Sequence, residues 1–124
     1  MLATDHYEAA IDFTAHNARN NLGREPGTAL LDWRAPEIEG MGTFDLVLAA
    51  DVLYERRNVS ALAALIPALL VPGGEILLSD PRRKNTWAFL EKMRGKGFRS
   101  STEECLVPSD GREVVVLVHR LRRL

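Results

Sequence analysis

The sequence predicts an α/β fold: a mostly parallel sheet with helices on both faces, closed by an antiparallel hairpin. Three observations carry that expectation. The segment Phe44 to Ala50 contains five apolar residues without alternation, Leu46 to Ala50, the pattern of a strand covered on both faces. Short apolar strands alternate with stretches of helical periodicity, as crossover connections require. Asp110-Gly111 between two apolar runs signals a tight reversal near the carboxyl end.

Taken in order, residues 1 to 4 read as a strand with Asp5 at its carboxyl end. From about His6 to Leu22, Tyr7, Ala10, Ile11, Thr14, Ala18 and Leu22 recur at helical spacing, and Gly23 stops the helix. Arg24-Glu25-Pro26-Gly27 turns the chain into a short strand, Thr28 to Leu31, followed by Asp32-Trp33. A polar loop with Pro36, Gly40 and Gly42 leads to the Phe44 strand, which ends at Asp51. Asn58 or Ser60 is expected to cap the next helix, which carries Leu62, Leu65, Ile66 and Leu69 on one side. Pro67 should kink that helix and Pro72-Gly73-Gly74 should end it. Glu75 to Ser79 is the following strand, with Asp80-Pro81-Arg82-Arg83 at its end. Thr86 opens a helix with Trp87, Phe89, Leu90 and Met93 inward, stopped by Gly95-Lys96-Gly97. Phe98 to Leu106 and Glu113 to His119 form the closing hairpin.

Composition narrows the function classes. An apolar fraction of 46% and a charged fraction of 27% exclude a disordered chain. A net charge of -1 gives no bias toward nucleic acid or membrane, so Arg82-Arg83-Lys84 and Arg120, Arg122 and Arg123 read as solvent-facing. Cys105 is the single cysteine, and His6, His16 and His119 do not cluster, which argues against a disulfide or a metal site. No apolar leader follows Met1 and no run is long enough to span a membrane; the expected location is the cytoplasm. Asp5, Asp32, Asp51 and Asp80 each follow a strand, which directs carboxylates toward one rim of the sheet, where open α/β folds bind ligands. Each one alone is also explained as a turn or helix-cap residue.

The chain resembles the class I S-adenosylmethionine-dependent methyltransferases, in particular the branch of protein-lysine methyltransferases and nicotinamide methylase-like proteins. The matching segments are Ala3-Thr4-Asp5, Asn17-Ala18-Arg19-Asn20-Asn21, Leu31-Asp32-Trp33, the run Phe44 to Glu55, and Pro72-Gly73-Gly74. Asp51-Val52-Leu53-Tyr54 is the most specific of them. The resemblance implies S-adenosylmethionine as cofactor, with Asp5 on the ribose hydroxyls, Asp32 on the adenine amine, Trp33 over the ring, and small Ala49 and Ala50 beneath the cofactor. It implies Asp51 and Tyr54 as the catalytic pair facing the acceptor, a protein lysine or a small amine, with Asp80-Pro81 bordering the pocket. The Gly-rich loop and first strand of that family have no counterpart: Gly40-Met41-Gly42 precedes a strand and Gly95-Lys96-Gly97 follows a helix.

The expectation is therefore one methyltransferase domain over residues 1 to 124, incomplete at its amino terminus. In the family's sheet order, 3-2-1-4-5-7-6, the absent strand leaves a slot of roughly 9 to 10 Å between the strands ending at Asp5 and Asp51. Direct pairing of those strands, a partner or second copy filling the slot, and a truncated product are the alternatives, the last being the expected one. Self-association is a related expectation. The rival function is a non-catalytic domain that keeps the fold for binding or assembly; a dinucleotide-binding fragment fits the Asp-Trp and Asp-x-x-Tyr elements less well.

Overall fold

Strand pairing divides the chain into two sheets, and the computed structural model describes every residue from Met1 to Leu124. The sheets fall in two units, Met1–Glu37 and Ile38–Leu124. In the first unit, β1 (Leu2–Asp5) pairs in parallel with β2 (Gly27–Leu30), from Leu2 opposite Gly27 to Asp5 opposite Leu30. Asp5 is thus the last residue of its strand, and β2 ends one residue earlier than expected. Between them lies α1 (Glu8–Leu22). It starts at Glu8 instead of His6 because the Asp5 carboxylate accepts the backbone N–H groups of His6 and Tyr7, at 2.7 and 3.2 Å, and holds the chain in a turn. Gly23 ends the helix in the left-handed region, φ 69°, with its N–H bonded to the Arg19 carbonyl. Ala10, Ile11, Thr14 and Ala18 form a half-buried stripe, whereas Tyr7 and Leu22 at the helix boundaries are exposed.

The second unit contains β3 (Phe44–Ala50), α2 (Arg56–Leu69), β4 (Leu70–Asp80), α3 (Lys84–Gly95), β5 (Phe98–Ser109) and β6 (Arg112–Arg123). Its sheet order is β3-β4-β6-β5, with β3 parallel to β4 and β6 antiparallel to both neighbours. Register places Val47 and Ala49, Ile76 and Leu78, and Leu121 and His119 in rows on one face. Val59, Leu62, Leu65, Ile66 and Leu69 of α2, with Phe89 and Met93 of α3, complete the core on that face. Each such side chain contributes about 1.5–3 kcal/mol by leaving water.

Within Ile38–Leu124, α2 and α3 cover one face of the four-stranded sheet. Along β3 exposure alternates, and Leu46 and Leu48 are 45% and 66% exposed. Handedness explains this. Right-handed crossovers from β3 to β4 and from β4 to β5 advance in the same direction across the sheet, so α2 and α3 arrive on the same side. Within Ile38–Leu124 the opposite face carries no helix.

Other boundaries also move. Helix α2 begins at Arg56 with Glu55 at its N-cap, so neither Asn58 nor Ser60 caps it. Pro67 sits in its last turn. Pro72-Gly73-Gly74 lies inside β4 instead of terminating the helix: Phe44 faces Leu70 while Leu46 faces Glu75, so extra β4 residues loop out between those pairs. Gly73 takes φ 78° there, and a Cβ on Gly74 would stand 3.0 and 3.1 Å from the carbonyl oxygens of Val71 and Asp45. Helix α3 starts at Lys84, two residues before Thr86, and Trp87 is 55% exposed instead of inward. The hairpin is longer than expected on both strands, and Asp110 (φ 48°) with Gly111 (φ 73°) form its two-residue reversal.

Candidate functional site

The carboxyl end of β3 delivers Asp51 in a conformation that few side chains adopt, φ 49°. Its N–H donates to the Ser79 carbonyl at 2.9 Å, the last bond of the β3–β4 ladder, so the chain turns abruptly where pairing stops. Beyond it the loop is pinned from two helices: the Asn58 amide of α2 donates to the Val52 carbonyl and the Asn85 amide of α3 to the Leu53 carbonyl, each at 3.0 Å. Leu53 is buried and anchors the loop in the core, while Tyr54, next along, is 54% exposed. Ala49 is half-buried and Ala50 exposed at the strand end.

The Asp51 carboxylate is clamped by Arg83, Nε to Oδ1 at 2.5 Å and Nη2 to Oδ2 at 3.0 Å, a two-pronged ion pair. Hydrogen bonding from that guanidinium holds the Asp51 carboxyl below the usual carboxylate range and raises Arg83 in turn. Asp80, at the end of β4, does not face open space. It is 2% exposed, and its Oδ2 accepts the Arg83 backbone N–H at 2.8 Å, fixing the turn into α3. Behind it, His119 is fully buried with Nδ1 2.7 Å from the Thr102 hydroxyl, and burial lowers its pKa against the attraction of Asp80.

Asp5, Asp32 and Trp33 belong to Met1–Glu37. The Asp5 carboxylate engages one oxygen, Oδ1, in the turn described above. Asp32 sits two residues past β2, where its Oδ1 accepts the Arg34 N–H at 3.0 Å and its carbonyl accepts Ala35 N–H, a local turn with Trp33 half-buried at its second position. That backbone hydrogen bond, more than any charge, lowers the Asp32 carboxyl. Each of these carboxylates keeps one oxygen clear of the backbone bonds, the kind of acceptor a sugar hydroxyl or an adenine amine takes.

Sequence reasoning missed Arg83, Asn58 and Asn85 as parts of the site. Arg83 lies in a basic run that reads as solvated surface, and an Asn near a helix start reads as a cap; only the spatial return to the β3 loop reveals their partners. No group of three or more His, Cys, Asp or Glu residues could hold a metal ion. The connections that enter α1, α2 and α3 contain no glycine, so none offers a glycine-lined cradle at a helix start.

Structural comparison places this architecture among methyltransferases. The chain is similar to the N-methyltransferase NodS from Bradyrhizobium japonicum in complex with S-adenosyl-L-homocysteine (TM-score 0.69, 17% identity, 98% of this chain and 65% of that one). It is similar to a methyltransferase from Pyrococcus furiosus (TM-score 0.73, 19% identity, 98% and 61%). A third is the magnesium protoporphyrin IX methyltransferase from Synechocystis with bound S-adenosylmethionine (TM-score 0.68, 20% identity, 99% and 59%). The chain thus spans about 65%, 61% and 59% of these proteins, and identities this low show a shared fold alone. A search of curated proteins finds no matching sequence. The family model for lysine methyltransferases matches residues 1–96, which include every candidate residue named above except His119 and Thr102. With that match over most of its length, the chain belongs to the lysine methyltransferase family.

Proposed function

We propose that these residues serve an S-adenosylmethionine-dependent methyl transfer to an amine, either a protein lysine or a small molecule. The observation that carries this reading is the pinned β3 loop, which presents a left-handed Asp51 and an exposed Tyr54 at the end of a parallel strand. When bound, the cofactor supplies a sulfonium methyl open to in-line attack. Positioning then dominates catalysis and no enzyme nucleophile is needed.

In this reading Asp5 and Asp32 accept hydrogen bonds from the ribose hydroxyls and the adenine amine, Trp33 covers the ring, and Ala49 and Ala50 leave room at the strand end. Asp51 and Tyr54 orient the acceptor. An amine attacks only when uncharged, and Asp51, held in its ionised form, directs the nitrogen more readily than it removes a proton. The donor set fits the nucleoside half of the cofactor; a glycine-lined cradle for its methionine half is not among these residues, and no step is assigned to it.

Calorimetry with S-adenosylmethionine and S-adenosylhomocysteine tests the reading. Both should bind, and Asp5→Ala should weaken them about 10- to 100-fold, the worth of hydrogen bonds to a charged acceptor. No binding by a chain extended upstream through that cradle, or binding indifferent to Asp5→Ala, counts against it, whereas failure of residues 1 to 124 alone does not. One observation favours the non-catalytic alternative: the exposed Leu46 and Leu48 of β3 suit a protein partner. That alternative expects no binding of either compound.

A further inference from the structure

We propose that Arg83 is a built-in stand-in for the acceptor's cation, a specificity-determining residue that occupies Asp51 until a positively charged amine displaces it. The inference rests on the reading of Asp51 as the acceptor-orienting carboxylate and adds what controls access to it.

Both oxygens of Asp51 accept from the guanidinium, at 2.5 and 3.0 Å, so an arriving ammonium group takes the two-oxygen edge of the carboxylate only by displacing Arg83. The two partners differ in mobility. Asp51 is fixed by its own N–H bond to Ser79, by its left-handed backbone and by the Asn58 and Asn85 amides on the residues that follow. The backbone of Arg83 is equally fixed, through its N–H to buried Asp80, but its charge rides on a long side chain with rotatable bonds. Displacement therefore moves the guanidinium and leaves the loop in place.

The exchange is energetically accessible. The pair is 41% and 47% exposed at its two side chains, so water and solutes reach it and screening weakens it. Glu104 is engaged by Arg82 and Glu55 by Arg57, which leaves Asp80 as the other carboxylate acting on Arg83. Asp80, whose carboxylate already takes the Arg83 N–H, continues to attract the displaced guanidinium. A neutral hydroxyl or thiol lacks the charge to substitute for a guanidinium on a carboxylate, and an anionic acceptor would be drawn to Arg83 itself. The gate thus selects ammonium-type acceptors, with lysine side chains as the fitting class. The selected amine then loses its proton to solvent before attack, since a carboxylate is far too weak a base to deprotonate an ammonium group.

The test uses the full chain, isotope-labelled, with Nα-acetyl-lysine methylamide as probe and its norleucine analogue as neutral control. Asp51 carboxyl and Arg83 Nε–H resonances report occupancy. The expected result is weak probe binding to the wild type with loss of the Arg83–Asp51 signature. Arg83→Gln should bind about fivefold tighter, the release of one exposed ion pair, with Arg83→Lys between the two. Asp51→Asn should abolish binding, and the norleucine analogue should not bind at all. Equal affinity in wild type and Arg83→Gln, weaker binding in Arg83→Gln, or binding that survives Asp51→Asn would overturn the proposal. Cofactor calorimetry on the same samples separates the two failures. Cofactor binding indifferent to Asp5→Ala defeats the methyltransferase reading, and failure of the competition alone defeats the gate.

Discussion

Single buried polar residues here carry a cost in unpaired atoms. His119 is fully buried, its Nδ1 satisfied by Thr102, its Nε2 without a partner, and its ring centroid 5.9 Å from that of Trp87 in an edge-to-face arrangement. Burial lowers its pKa, so the folded state prefers the neutral ring while the unfolded chain protonates it near pH 6.5, an ordinary imidazole value. Its contribution to stability is then fully present above about pH 6.5 and is lost as pH falls toward the lower folded value. Melting between pH 7.5 and 5.5 should show stability decreasing, and His119→Gln should flatten that slope while costing about 1–3 kcal/mol at pH 7.5. A wild-type profile flat across this range would refute the assignment. Asp51 titrates in a different window: its folded pKa is depressed by Arg83, so its contribution is lost only as pH falls below the usual carboxylate range. Arg83→Gln should return the Asp51 carboxyl toward its ordinary value in a carbon-detected titration. Asp51 stood out in the sequence by following an apolar strand, and Tyr54 by the resemblance of Asp51-Val52-Leu53-Tyr54 to the methyltransferase element, each with an ordinary turn or packing role as its alternative. Arg83 stayed hidden because its partner lies 32 residues away and its neighbours are also basic.

At the scale of elements, the junction of β3 and β4 is closely packed around Gly74. Gly74 is buried, and a methyl group there would meet Leu70 Cγ at 2.7 Å and the carbonyl oxygens of Val71 and Asp45 at 3.0 and 3.1 Å. The Leu70 side chain can yield, but two backbone oxygens cannot without loosening the bulge. Gly74→Ala is expected to cost about 1–3 kcal/mol by denaturant unfolding, as overpacking does. Gly97→Ala, which has open space but φ 89°, should lose stability through backbone strain alone, about 1 kcal/mol. If Gly74→Ala proves the milder of the two, the close approach is not what this glycine serves. The same junction shows what was readable in advance. Element type and order followed from periodicity, and the hairpin from Asp110-Gly111. Pro72-Gly73-Gly74 was misread as a helix stop because a Pro-Gly-Gly run looks alike whether it ends a helix or interrupts a strand; the actual stop is the extended Leu70, which nothing in its residue type announces. The one-sided burial of β3 was invisible for a related reason: an apolar run specifies what it can tolerate on each face, whereas crossover direction decides which face receives helices.

For the molecule as a whole, the distribution of buried side chains sets how stability is shared. Every fully buried apolar residue except Leu31 lies in Ile38–Leu124, and α1 contains no buried residue. Local opening free energy follows the apolar contacts and protected hydrogen bonds that opening removes, so segments with few of them open far below the global transition. In Met1–Glu37 a two-stranded parallel pair and a helix with a half-buried stripe offer little to lose. In Ile38–Leu124 the opening of β4 or β6 would expose Ile76, Leu78, Leu121 and the residues of α2 and α3 packed on them. Native-state hydrogen exchange should therefore find the amides of α1 exchanging at least about 100-fold faster than those of β4 and β6, the ratio for an opening difference of ~3 kcal/mol. Adding S-adenosylhomocysteine extends the measurement, because a ligand that binds only the folded site slows opening in proportion to its saturation. If Asp5, Asp32 and Trp33 hold the nucleoside, protection should rise most in β1, the start of α1 and the Asp32 turn. Slow exchange of α1 in the free chain would contradict the link between burial and stability, whereas ligand protection confined to Ile38–Leu124 would leave that link intact and remove the three residues from the cofactor site.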